Sequence, residues 1–103
     1  MHIQKCHLKR GTCLSRIVTD DGGFTAVYGE GGGCVLDATG NAAGIWIPLH
    51  GGLQIQSAGL TRQLRVGDGL VTEHEPRTKA IGHANARWVA LLGGRRAWTR
   101  LLH

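Results

Sequence analysis

The sequence predicts an all-β fold: a small antiparallel barrel or sandwich with one short helix at its C-terminal end. Three observations lead there. Between Gly44 and Asp68 apolar residues recur at every second position: Ile45, Ile47 and Leu49, then Leu53 and Ile55, then Leu60, Leu64 and Val66. Period two marks strands with one buried face. These runs are separated only by His50-Gly51-Gly52 and Ser57-Ala58-Gly59, turns so short that the flanking strands must be antiparallel neighbours. Finally, 17 of the 103 residues are glycine while 42% of the chain is hydrophobic. Glycine at that level in a chain with ample apolar content marks turns, bulges and close backbone approach rather than disorder.

The elements follow in order. Thr12 to Val18 reads as a strand, stopped by Asp20-Asp21-Gly22-Gly23. Phe24 to Tyr28 is the next, ending in Gly29-Glu30-Gly31-Gly32-Gly33. That glycine run lacks the Lys-Ser/Thr of a phosphate loop and precedes a strand-like segment instead of a helix, so it predicts a hairpin. Cys34 to Ala38 follows, and Thr39-Gly40-Asn41 turns the chain back. After the three alternating runs and Gly67-Asp68-Gly69, Leu70-Val71-Thr72 is a short strand interrupted by a charged corner at His74-Glu75-Pro76. Thr78 to Ile81 is another short strand, and Arg87 to Leu92 is a buried one. Trp98, Leu101 and Leu102 then fall at i, i+3 and i+4 behind Gly93-Gly94, which predicts a helix from about Arg95. Residues 1–103 are expected to form one domain, with the barrel over about 12–92 and the helix over about 95–103.

Composition narrows the function classes. No apolar run approaches the ~20 residues of a membrane span, and the N-terminal residues lack the apolar stretch of a secretory signal. A soluble, cytoplasmic protein is expected. Of the seven acids all lie between Asp20 and Glu75, whereas residues 1–16 and the segment from Lys79 onward carry basic residues and no acid. Basic ends could face nucleic acid, but no aromatic residues interleave with them to stack bases. The three cysteines, Cys6, Cys13 and Cys34, have no metal-ligand spacing and are expected to be small buried hydrophobes in a reducing compartment. Glu73 and Glu75 share a strand face, but beside Pro76 they read as a solvated corner. No Ser/His/Asp constellation or Gly-x-Ser-x-Gly elbow is present.

Two segments carry a family resemblance. Trp46-Ile47-Pro48-Leu49-His50-Gly51-Gly52-Leu53-Gln54-Ile55, followed by Leu64-Arg65-Val66-Gly67-Asp68, resembles the strand, glycine turn, strand and L-x-x-G-D pattern of cupins, small jelly-roll β-barrels. The closing RWVALLGGRRAWTRLL resembles the exit from the barrel into the linker helix of AraC-type transcription regulators. The resemblance spans about residues 12–103. It implies an effector-sensing and/or dimerisation domain that pairs as a homodimer, takes a small-molecule effector, and reaches DNA only through a separate domain absent from this chain. The alternative is a stand-alone small cupin that binds a small molecule or metal, an enzyme included. Metal-binding cupins place two histidines and a glutamate before the glycine turn and a third histidine after the Gly-Asp pair. On that spacing this chain has Thr39, Gly40 and Asn41, then Gly44 or Ile45, then Thr78. The resemblance therefore implies no metal, no cofactor and no enzymatic role here.

By alternation Ile45, Ile47, Leu49, Leu53, Ile55, Leu64 and Val66 face inward. Ile47, Leu49, Leu53 and Ile55 are accordingly the candidate ligand-lining residues. Arg62 shares the parity of Leu60 and Leu64 and so points toward the core side. Either it lies near the barrel mouth and reaches water, or it anchors an anionic group of the ligand. Trp46 faces away from the inward set, to pack under an outer strand or the helix, or to contact another subunit. Trp98, Leu101 and Leu102 form the candidate dimerisation stripe.

Overall fold

The computed structural model describes residues 2–7, 14–19 and 22–102. These residues form β1 His2–His7, β2 Leu14–Thr19, β3 Phe24–Glu30, β4 Cys34–His50, β5 Leu53–Ser57, β6 Leu60–Leu64, β7 Leu70–Gly82, β8 Arg87–Gly93 and α1 Arg95–Leu102. All strand pairs are antiparallel, in the order β2-β3-β8-β4-β7-β5-β6, with β1 on β4. The all-β architecture with a terminal helix is as the alternation predicts. Thr12, Cys13, Asp20, Asp21 and His103, on which parts of that reading fell, lie outside the described residues.

Two long strands organise the sheet. β4 runs for 17 residues, its first half between β1 and β7 and its second half beside β8. The turn expected at Thr39-Gly40-Asn41 is instead an irregularity inside β4. Gly40 and Asn41 take φ of 88° and 58°, and the pairing with β7 shifts register between Thr39, Ala42 and Gly44. Glycine and asparagine visit the left-handed region at low cost, so turn chemistry serves here to re-aim a strand without ending it. β7 is likewise continuous through His74-Glu75-Pro76, not broken by a corner. Pro76 sits within that shift, between Glu75 opposite Ala42 and Arg77 opposite Thr39, where a residue without an N–H is tolerated. β1, which the sequence reading left unassigned, pairs with β4 from His2 opposite Thr39 to His7 opposite Cys34.

The core centres on two tryptophans. Trp46 and Trp88 are fully buried with ring centroids 5.9 Å apart, among Leu36, Leu53, Ile55 and Leu92. The Trp88 ring lies against β3 so closely that a Cβ on Gly29 would stand 2.3 Å from it. Trp46 corrects the expected orientation of its strand. In the second half of β4 the inward residues are Ala42, Gly44, Trp46 and Pro48, while Ile47 and Leu49 are 42% and 49% exposed. Alternation fixes the period of a strand but not which parity is buried. Here the indole buries more area than an isoleucine. Its Nε1 also donates to the buried Thr72 hydroxyl at 3.0 Å, and small Ala42 and Gly44 flank it. Val66 is also corrected: it is exposed in the turn after β6.

Helix α1 packs on the sheet through Trp98 and Ala97. Trp98 meets Phe24 edge to face at 4.8 Å, and its Nε1 donates to the Ala43 carbonyl at 3.0 Å. Ala97 is buried beside Gly23, and Leu101 and Leu102 are exposed. Cys34 is buried as expected, yet it is disulfide-bonded. The expectation that the cysteines are only small buried hydrophobes is corrected at Cys34, which is bonded as well as buried. No helix among the described residues is long and apolar enough to cross a membrane.

Candidate functional site

The β5–β6 hairpin and the first half of β7 enclose a cleft of about 360 Å³ at the free-edge end of the sheet. The hairpin forms because Ser57-Ala58-Gly59-Leu60 is a two-residue connection with Ala58 and Gly59 at φ of 55° and 73°, the primed-turn geometry that matches strand twist. Its register sets Ile55 opposite Arg62, Leu53 opposite Leu64 and Ser57 opposite Leu60, so these six side chains share one face. On β5 the same face is continuous with buried Thr78 and Ala80 of β7. Arg62 therefore does stand on the core side, but β6 is an edge strand, and the residue is exposed at the mouth of the cleft.

The opposite wall is β7. Leu70, Thr72, Glu73 and Glu75 line it. The register shift in the β4–β7 pairing sets Glu75 opposite buried Ala42, which leaves the glutamate half-buried. Thr72 is fixed between strands: it accepts from Trp46 Nε1 at 3.0 Å and donates to the Gly44 carbonyl at 3.5 Å. Ser57 and Thr78 share a hydroxyl contact of 3.2 Å across β5 and β7. Among the described residues Arg62 makes no ion pair and no side-chain hydrogen bond; the ion pair found there joins Arg77 to Asp37 on another face. The cleft thus offers one uncommitted guanidinium, two carboxylates and an apolar floor at Ile55 and Leu70.

Of the expected ligand residues, Arg62 and Ile55 come together in this cleft. Leu53 is fully buried in the core beside it, and Ile47 and Leu49 are on the outer face of β4, so those two do not line it. Sequence reading missed Thr72, Glu73 and Glu75. The same-face spacing of the two glutamates was visible, but Pro76 was taken for the end of the strand. Of the expected dimerisation stripe, Trp98 is engaged with Phe24 and Ala43, and only Leu101 and Leu102 are free.

The cation site of metal-binding cupins does not fit these residues. Thr78 spends its hydroxyl on Ser57, and among the described residues no three of His, Cys, Asp and Glu converge to hold an ion. His74, on β7 between the two glutamates, is half-buried with Nε2 unpartnered among the described residues, and it belongs to no group of three potential ligands among them.

No protein-family model matches the sequence, and no curated protein does. Solved structures do. KdgF from Halomonas sp. superposes with a TM-score of 0.64 at 20% identity, over 89% of this chain and 86% of that one. A cupin superfamily protein from Desulfitobacterium hafniense gives 0.69 at 11% identity, over 86% and 84%. The cupin_2 domain of an XRE family transcriptional regulator from Enterobacter cloacae gives 0.63 at 12%, over 80% and 95%. The expectation that this chain is not an enzyme is corrected by the first of these: KdgF is an enzyme built on the same fold, so the architecture is no argument against catalysis. Strand order, the long bent β4 and β7, and these superpositions agree: the chain is a small domain of the cupin fold.

Proposed function

We propose that this domain is the small-molecule-sensing and dimerisation unit of a transcription regulator, of the AraC type that its sequence resembles. The observation that carries the reading is Arg62: a guanidinium with no partner among the described residues, at the mouth of a 360 Å³ cleft with an apolar floor. A planar guanidinium grips a carboxylate or phosphate in a forked contact. The apolar floor at Ile55 and Leu70 takes the body of such a molecule, and Glu73 and Glu75 accept hydrogen bonds from its hydroxyl or ammonium groups. The fold shared with a regulator's cupin_2 domain supports the same reading. An occupant would bridge the hairpin and β7, and it would bias whichever spacing of those strands it binds more tightly.

A panel of small carboxylates and phosphates, scored by thermal shift and then calorimetry, tests this. The expected result is a saturable binder whose affinity falls at least tenfold in Arg62→Gln. Binding indifferent to that substitution, or no binder in the panel, would overturn the assignment.

A second reading has its own observation. The fold shared with KdgF favours a cupin that acts on the molecule it binds, with Glu73 and Glu75 as the carboxylates at hand. Turnover of the identified binder, lost in Glu75→Gln, would select it.

A further inference from the structure

We infer that the cleft beside β7 takes a short extended peptide, which adds as a strand to the free edge of β7 and sets its carboxyl terminus on Arg62. The inference rests on the reading of Arg62 as an anion anchor and names the class of molecule held there. β4 and β7 each pass from one layer of the domain to the other. The front layer is β2, β3, β8, the second half of β4 and the first half of β7. The back layer is β1, the first half of β4, the second half of β7, β5 and β6. Their inner residues share one core, with Val27, Trp46 and Leu92 from the front and Leu36, Leu53 and Ile55 from the back. β4 pairs with β7 from Leu70 to Ile81, but β5 pairs with it only from Thr78 to Gly82. From Leu70 to Glu75, therefore, β7 has a neighbouring strand on one side alone among the described residues.

The gap has the shape of a strand. Leu70, Val71, Thr72, Glu73 and Glu75 all line it. Leu70 packs on the core and Thr72 is buried, whereas Val71 and Glu73 are exposed on the other side of the strand. Side chains of both faces border one cleft where that cleft runs along the strand's edge. Alternate residues of an antiparallel strand turn their N–H and C=O away from their partner, so this wall offers backbone donors and acceptors at strand spacing. The facing wall is the inner side of the β5–β6 hairpin. Leu60 and Arg62 share the face of buried Leu53 and Ile55, yet Leu60 is 58% exposed. Inner faces of packed sheets are covered by opposing strands, and over Leu60 and Arg62 that cover is missing. Pro76, without an N–H, closes the run, which leaves an edge from Leu70 to Glu75 of about 20 Å. An extended peptide meets such an edge with its main chain. Charge assigns the rest: Arg62 grips the terminal carboxylate in a forked contact. Glu73 and Glu75, in no ion pair among the described residues, attract an amino terminus or a basic side chain and repel acidic ones.

A pool of tetrapeptides with free termini, screened against the full chain by thermal shift, supplies the tightest-binding sequence, and calorimetry then compares its chemical variants. The free acid is expected to bind saturably. Its carboxamide should bind at least about tenfold less tightly, a difference that Arg62→Gln abolishes. Of two variants N-methylated at alternate amides, one should lose at least about tenfold and the other little, because only alternate N–H groups face the edge. A carboxamide as tight as the acid would overturn the contact assigned to Arg62. Binding indifferent to both N-methylations, or peptides that bind no better than the panel of small carboxylates and phosphates, would overturn the peptide and leave Arg62 as an anion anchor. No ligand in either panel would overturn both readings.

Discussion

Trp46 and Thr72 join β4 to β7 inside the core: the indole donates to the threonine hydroxyl at 3.0 Å, and both side chains are buried. Its neighbour Trp88 is equally buried, yet its Nε1 has no partner among the described residues. The two rings differ in one bond, and that sets up a comparison. Trp46→Phe removes a hydrogen bond and leaves the buried Thr72 hydroxyl with only its 3.5 Å bond to the Gly44 carbonyl, whereas Trp88→Phe removes a donor with no partner among the described residues. An unpaired buried polar group costs about 1–3 kcal/mol, so Trp46→Phe should be the more destabilising by roughly 1–2 kcal/mol. Urea unfolding of the two variants measures it.

Asp37 and Arg77 form a forked ion pair across β4 and β7, with the arginine Nε 2.9 and 3.0 Å from the two carboxylate oxygens. The Arg77 hydrogen bond holds the Asp37 carboxyl below its ordinary range against the opposing effect of burial. The charges of Arg77 and Lys79 add to the lowering. A carboxyl depressed in the folded state adds stability above its unfolded pKa, and that stability is lost as pH falls through the folded value. Arg77 is 60% exposed, so screening keeps the pair below about 1 kcal/mol. Asp37→Asn should therefore be less stable than wild type at pH 7 and indistinguishable from it once the pH is well under the usual aspartate range, about 4. Equal stability at pH 7 would show the pair to be inert.

Ala58 sits at φ 55° in the β5–β6 turn, a conformation that costs a residue with a Cβ about 1 kcal/mol. Asparagine followed by glycine is the preferred pair for such a turn, and Gly59 is already in place. Ala58→Asn should stabilise by about 0.5–1 kcal/mol. For a chain of this size that is a rise of roughly 2–8 °C in thermal midpoint, and calorimetry checks it. Where the cleft binds a ligand, the stiffer hairpin should not weaken it.

Gly29 is in β3 beneath Trp88, and a methyl there would stand 2.3 Å from the indole. A fully buried ring has nowhere to retreat. Gly29→Ala should cost about 2–3 kcal/mol by overpacking, and the additional Trp88→Leu, which withdraws the ring, should recover part of the loss. Gly59→Ala is the control: no atom lies near an added Cβ there, and only its positive φ of 73° opposes the change.

How far the sequence could be read depended on which signals were local. The β5–β6 hairpin was readable in full, because alternation and Ser57-Ala58-Gly59 both act over a few residues. The helix was readable from Trp98, Leu101 and Leu102 for the same reason. β4 was not: Thr39-Gly40-Asn41 has the composition of a turn, and only its neighbours on both sides keep the strand running through it. The inversion of Ile45, Ile47 and Leu49 followed from one long-range contact, Trp46 to Thr72, that no window of sequence contains. The cleft was half visible for that reason. Arg62 and Ile55 sit on the local hairpin, while Glu73 and Glu75 depend on a register set by Ala42.

β3 enters the sheet through β8, pairing Phe24 with Gly93 and Glu30 with Arg87. During synthesis the β2–β3 ribbon therefore waits, one edge unsatisfied, until Arg87 to Gly93 has left the ribosome. Ordered pairing of the front of the molecule is a late event that closes loops of more than fifty residues, and such closures are slow. In the interval the waiting edge can recruit the wrong strand. Yield on expression should thus track how fast Arg87 to Gly93 is delivered and docked more closely than it tracks the stability of the finished fold.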